Sequence, residues 1–254
     1  MFNKVLRIIF LIFTFLWPGK SFADEKTAND LLANKTVNPF STNQAVWDDY
    51  HGWYYNNSVW ETTSFLGVPA NKSVSDMWNY QEIISELQPS IVIEFGTLYG
   101  GSALFFSTIA RLVNPSAVVL SVDIDHRSTY DRVKQDPHIE LLTCFSTDPK
   151  VVARIIELRG QHPGPVFAIL DSDHHKSNVL NEMELLRPLL KRGDYLVVED
   201  GNVNGHPVLK EFGEGPYEAI LEYFKRYPED YEKDTAREEK FGFTFAVSGF
   251  LKRC

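Results

Sequence analysis

One pattern governs residues 91–198: short apolar runs alternate with segments whose apolar residues fall at helical spacing. The runs cover residues 91–95, 117–124, 139–145, 166–170 and 195–198, each bounded by Gly, Pro, Ser or acidic residues. They are strand-length, and runs this apolar are those of buried parallel strands. Residues 102–113 and 151–158 read as helices. So does the spacing of Val179, Leu180, Met183, Leu186, Leu189 and Leu190, and of Tyr217, Ile220, Leu221, Phe224 and Tyr227. Residues 243–250 read as a late strand. Strands alternating with helices imply an α/β fold, a mostly parallel sheet covered on both faces. With 254 residues, 44% hydrophobic and without internal repeat or clear linker, the chain reads as one domain with an N-terminal extension.

The first 23 residues stand apart. Lys4 and Arg7 precede an almost wholly apolar stretch at residues 8–17, and Ser21-Phe22-Ala23 offers small residues where a signal peptidase reads. This is an export-signal pattern, with an apolar core shorter than the roughly 20 residues of a spanning helix. The expected organisation is a signal peptide at 1–23, an extension and aromatic lid segment at 24–80, and the main domain at 81–254. The protein is expected to be periplasmic or secreted, and at a membrane only if the segment stays uncleaved. The rings of the extension (Trp47, Tyr50, Trp53, Tyr54, Tyr55, Trp60) read as core or lid packing, with a substrate-facing wall as the second reading. Asn34, Asn56 and Asn71 each head an N-glycosylation acceptor pattern, which matters only in a eukaryotic secretory host.

The formal net charge is −9 with no run of Lys and Arg, which argues against a nucleic-acid partner. Cys144, read as a buried strand residue, and Cys254 at the chain end make neither a disulfide framework nor a zinc-ligand spacing.

Ligands in such sheets bind beyond the carboxyl ends of the strands, and polar residues gather there in four places. Glu94-Phe95-Gly96-Thr97-Leu98-Tyr99-Gly100-Gly101-Ser102 joins a strand-ending acid to glycines that open a helix. Its glycines allow a tight turn, and a helix N-terminus favours an anion such as an amino-acid carboxylate. Asp123, about 20–30 residues further on, suits the hydroxyls of a ribose. Asp171 and the pair Glu199-Asp200 follow two further strands. Three carboxylates facing one point repel unless a cation binds, and an all-oxygen set suits Mg2+, Ca2+ or Mn2+. His174, three residues past Asp171, has a suitable pKa to take a proton from a metal-bound hydroxyl.

Residues 77–83 (Met-Trp-Asn-Tyr-Gln-Glu-Ile), the turn from Glu94 to Ser102, residues 121–125, 170–174 and 197–208 together resemble the cephalosporin hydroxylase / rhamnosyl O-methyltransferase family. The likeness spans roughly residues 45–250, with the blocks in the same order. It implies a Rossmann-like class I methyltransferase fold with a seven-stranded sheet. It also implies an S-adenosyl-L-methionine (SAM) and Mg2+ dependent O-methyltransferase acting on a sugar or other small-molecule or glycolipid hydroxyl.

By that resemblance Gly96, Tyr99 and Ser102, within the Glu94, Thr97 and Gly100 turn, line the methionine end of SAM. Asp123 holds the ribose, and Ser146 and Thr147 lie near the adenine. Asp171, Glu199 and Asp200 bind the metal, His174 is the general base, and His206 is a second candidate at the acceptor site. The export signal is the departure from the family pattern, because SAM is made in the cytosol. Two other readings stay open: an exported binding scaffold that keeps the fold without activity, and an iron oxygenase using Asp171, His174 and His206. A homo-oligomer is compatible with the sequence.

Overall fold

The computed structural model describes residues 44–254. The expected export signal at 1–23, the pattern at Asn34 and the start of the extension lie outside the described residues. The described chain opens with α1 (Gln44–Asn56), a 3-10 turn (Val59–Thr62) and a short hairpin, β1 (Ser64–Phe65) and β2 (Val68–Pro69). Ser73 then caps α2 (Val74–Leu87), its hydroxyl accepting from the Asp76 amide at 3.4 Å.

From here strands and helices alternate: β3 (Ile91–Phe95), α3 (Gly101–Val113), β4 (Val118–Asp123), α4 (Asp131–Lys134), β5 (Ile139–Thr143), α5 (Pro149–Gln161), β6 (Val166–Leu170), α6 (Lys176–Leu186) and β7 (Tyr195–Val198). The chain closes with α7 (Pro216–Arg226), β8 (Tyr231–Lys233), α8 (Thr235–Glu239) and β9 (Phe250–Arg253).

The seven-stranded sheet has the order β5-β4-β3-β6-β7-β9-β8. Strands β3 to β7 pair in parallel, and β9 runs antiparallel between β7 and β8. The chain winds outward from β3 to β5 and then crosses back to place β6 beside β3. That reversal is a topological switch point, where the strand ends part and leave a crevice.

Period-two alternation sorts the side chains into two cores. Ile91, Ile93, Phe95, Leu120, Val122, Val166, Ala168, Leu170, Leu196 and Val198 face the layer of α5, α6 and α7. Val92, Val119, Phe167, Ile169 and Val197 face the layer of α2 and α3. Glu94, Ser121 and Asp123, and by continuation Asp171 and Glu199, belong to this second set. Registers such as Glu94 opposite Ser121 and Phe95 opposite Leu170 bring them to one level.

Two details differ from the sequence reading. Residues 243–249 form no strand; only Phe250–Arg253 pairs. The apolar character of that stretch serves packing: the Phe243 and Phe245 rings pack against His51 and Tyr54 of α1, and the Phe245 amide donates to Asp76 at 2.8 Å. The edge strand β8 is short and carries Glu232 and Lys233, so no apolar run announces it. Among the described residues, no helix is long and apolar enough to cross a membrane.

Candidate functional site

A cavity of about 640 Å³ opens over the carboxyl ends of β3, β4, β6 and β7, within the size range of small-molecule sites. Its floor begins at the turn after β3. Gly96 adopts φ +99°, and Gly100 caps α3 with φ +86°. Both values lie where glycine is favoured. A Cβ on Gly101 would meet the Pro69 carbonyl oxygen at 2.3 Å, so this glycine lets β2 lie against the start of α3. The Thr97 and Leu98 amides donate to one oxygen of Asp123 at 2.8 and 3.0 Å. The other oxygen accepts from the Asp125 amide at 3.2 Å. Asp123 thus braces the turn while it lines the cavity. The first-turn amides of α3 have no intrahelical acceptor, and Ser102 brings that helix end to the cavity wall.

Behind the turn, Glu94 is fully buried and accepts from the Ser121 hydroxyl at 2.5 Å. Burial pushes its pKa up to about 7, against the pull of Lys72 and of the Ser102 and Ser121 hydroxyls. Its Oε1 has no protein partner.

Asp171 and Asp200 come together beside His174, whereas Glu199, expected as a third metal ligand, has its oxygens taken by Tyr80 and by Lys72, a residue the sequence did not single out. Lys72 is 2% exposed, and its ammonium bonds Asp171 Oδ2 and, at 2.5 Å, Glu199 Oε2. The second Glu199 oxygen accepts from the Tyr80 hydroxyl at 2.6 Å. Burial works to lower the Lys72 pKa, but Asp171, Glu199 and Glu94 outweigh it and hold the ammonium charged. In the sequence Lys72 is the middle of an Asn-Lys-Ser acceptor pattern in a polar stretch, and no periodicity marks it. Asn71 itself lines the cavity.

Asp171, His174 and Asp200 offer ligand atoms that all lie within 4.8 Å of one another. The Asp171 and Asp200 carboxylates, facing the open cavity, fit a divalent cation, and the His174 imidazole stands beside them. Asp200 sits at φ +54°, a left-handed conformation that Asp tolerates better than most residues. His174 Nε2 stands 3.5 Å from Asp200 Oδ2. Burial would lower the His174 pKa, but Asp200 and Asp171 prevail and raise it.

Tyr99 and Ser146 line the same cavity, whereas Thr147 is exposed outside it. Cys144 lies just past β5, half-buried and free, on the cavity wall. Ile124 and Phe145, 63% and 71% exposed, form an apolar rim beside Ser146. Tyr55, Trp60 and Phe245, packed on one another, also line the cavity. The aromatic extension therefore serves both readings: Tyr54 packs in the core, while Tyr55 and Trp60 face the cavity. His206 does not line it. Its Nε2 pairs with Glu218 at 2.9 Å and its ring packs on Tyr217 at 4.0 Å. A two-histidine iron site, which needs His206 beside His174, has no basis in this arrangement.

A family model described as rhamnosyl O-methyltransferase/CmcI matches residues 57–254. The chain belongs to this family. The rhamnosyl O-methyltransferase of Mycobacterium bovis (strain BCG / Pasteur 1173P2) is 54% identical over 214 residues, 84% of this chain and 87% of that protein. That of Mycobacterium leprae (strain TN) is 56% identical over 209 residues, 82% and 91% of the two chains. Among solved structures, a CmcI carrying Mg and SAM superposes with a TM-score of 0.59 at 19% identity, covering 76% of this chain and 77% of its own. An apo form of CmcI gives 0.61 at 20% identity, covering 76% of each chain. At that identity the likeness bears on the fold, which is the Rossmann-like methyltransferase fold with its mixed seven-stranded sheet.

Proposed function

We propose that this protein transfers the methyl group of SAM to a hydroxyl of a sugar, with Mg2+ or a similar divalent cation at the carboxylate cluster. One observation carries the reading: a single cavity holds both a glycine turn at a helix N-terminus and the Asp171 and Asp200 carboxylates with the His174 imidazole beside them. Relatives more than half identical are named rhamnosyl O-methyltransferases, so the acceptor proposed is a rhamnosyl hydroxyl.

Bound here, SAM supplies an activated methyl group on a sulfonium, and the cation acidifies and orients the acceptor hydroxyl. The protein's own residues do the rest. The N-terminus of α3, with Gly96, Tyr99 and Ser102, holds the amino-acid end of SAM. Asp123, anchored through Oδ2 and held at Oδ1 by the Asp125 amide, has a remaining lone pair on Oδ1 for the ribose hydroxyls. Ile124 and Phe145 give a purine apolar cover, with Ser146 as its polar neighbour. Asp171 and Asp200 hold the cation. His174 takes the acceptor proton on Nε2. Tyr55 and Trp60 offer flat faces to a sugar ring and exclude water from that side. Much of the rate gain comes from aligning the two reactants.

Calorimetric titration of SAM into the purified protein, with Mg2+ and again with chelator, tests the cofactor. Micromolar binding supports the reading; no binding by a folded sample in either condition sinks it. We further propose that residues 1–23 direct export. N-terminal sequencing of the protein recovered outside the cytosol should begin at Asp24, and a cytosolic chain that retains Met1 contradicts this.

A further inference from the structure

We propose that Lys72 is the site's built-in counter-cation, which brings the three-carboxylate cluster to the charge of one divalent ion and keeps it formed before a metal arrives. This rests on the metal site proposed above and extends it.

Four observations lead here. Lys72 is 2% exposed, so its ammonium is part of the interior rather than a surface charge. It bonds Asp171 and Glu199 directly. The fully buried Tyr80 holds the far side of Glu199. The lysine backbone is also fixed: its amide donates to Thr63 Oγ1 at 3.1 Å, the same hydroxyl donates to its carbonyl at 3.2 Å, and the next residue, Ser73, caps α2. A flexible side chain is thereby launched from a rigid point into the cluster.

The charge count follows. At formal charge Asp171, Glu199 and Asp200 bring three negatives and Lys72 one positive, which leaves two, the charge of a single divalent ion. Without Lys72 the buried carboxylates would lack compensation and repel one another, and the cluster would need a metal to stay formed. With Lys72 the cluster stands without metal, and a cation binds against a fixed positive charge. Lys72 therefore acts through the carboxylates. It moderates metal affinity and matches the site to a divalent rather than a trivalent ion.

The test compares native protein, Lys72→Met and Lys72→Arg. Each is titrated with Mg2+ by calorimetry and with Tb3+ by luminescence sensitised through the cavity rings Tyr55 and Trp60, then melted with and without chelator. Lys72→Met is expected to bind Mg2+ at least about tenfold more tightly than native protein, with a larger gain for Tb3+. Its Tm should fall in chelator and recover in Mg2+, because metal then takes over the lysine's role. A Met variant unfolded in chelator but folded in Mg2+ supports the proposal equally. Lys72→Arg, which keeps the charge, should follow native protein in both ions. Unchanged or weaker Mg2+ binding by Lys72→Met, or a Met variant unfolded in both conditions, overturns it. Native protein that binds neither ion overturns the metal reading itself and this inference with it, whereas native binding without a gain in Lys72→Met overturns this inference alone.

Discussion

The main-chain carbonyl oxygen of Asp171 lies 2.0 Å from where a Cβ on Gly96 would stand. Phe95 and Leu170 are the last paired residues of β3 and β6, and just beyond them the Asp171 amide donates to the Phe95 carbonyl at 2.8 Å. The glycine turn and the first cluster carboxylate are therefore one piece of structure. Gly96→Ala must force a φ of +99° on alanine and push the Asp171 chain aside. We expect a loss of about 2–4 kcal/mol in urea unfolding, and weaker binding of both SAM and Mg2+. Native stability with native SAM affinity in this variant would contradict the arrangement.

His174 and Asp200 face each other across 3.5 Å with different assigned tasks, and variants separate them. His174→Ala should lower kcat by about 10²–10⁴-fold while leaving SAM affinity unchanged. Asp200→Asn should weaken Mg2+ binding in a calorimetric titration. Full turnover by His174→Ala removes the base assignment, and unchanged Mg2+ affinity in Asp200→Asn removes the ligand assignment.

Trp60 lines the cavity beside Tyr55. A ring stacked on a sugar contributes on the order of 1 kcal/mol beyond area burial, so Trp60→Ala should raise the acceptor KM by roughly fivefold to tenfold. The Kd for SAM should not change, since Trp60 is not among the residues assigned to SAM. A shift confined to SAM binding would reverse this division of the cavity.

His51 makes stability depend on pH. It is 3% exposed, and its Nε2 accepts from the Asn202 side chain at 2.9 Å, which requires the neutral ring. Phe245 stacks on it and Phe243 packs against it at a tilt. Burial pulls its pKa down to about 4, with Asp48 opposing. The folded value lies below the unfolded one of 6.5, so the stabilisation is complete above pH 6.5 and is lost as pH falls through 4. The loss is at most about 3 kcal/mol. Urea unfolding across this window should show a steeper loss for native protein than for His51→Gln; parallel curves would remove His51 as the cause.

Much of this site was legible in the sequence because strands end where their apolar runs end. Phe95, Leu170 and Val198 close such runs, and the residues beyond them meet at one level because parallel strands in register share a boundary. The glycine spacing and Asp123 followed for the same reason. Lys72 was not legible: it contacts residues 99 and 127 positions away, and nothing local distinguishes a buried lysine from a solvated one. Tyr80 enters the sequence reading only within the 77–83 block of the family likeness, and its hydroxyl partner lies 119 residues on. His206 shows the converse. Its neighbours in sequence resemble the family pattern, but Glu218 on α7 holds its ring outside the cavity. Residues 243–249 have a strand's composition, yet their rings are taken up by α1.

The most direct test of the central claim is methyl transfer itself. Native protein is incubated with methyl-labelled SAM and a rhamnoside, with Mg2+ and with chelator, and the label is followed into the sugar. The account predicts a labelled O-methyl group on the rhamnosyl ring in Mg2+, lost on chelation and restored by adding the metal back. SAM and Mg2+ both bound, with no label reaching the rhamnoside or any other sugar hydroxyl, would contradict it.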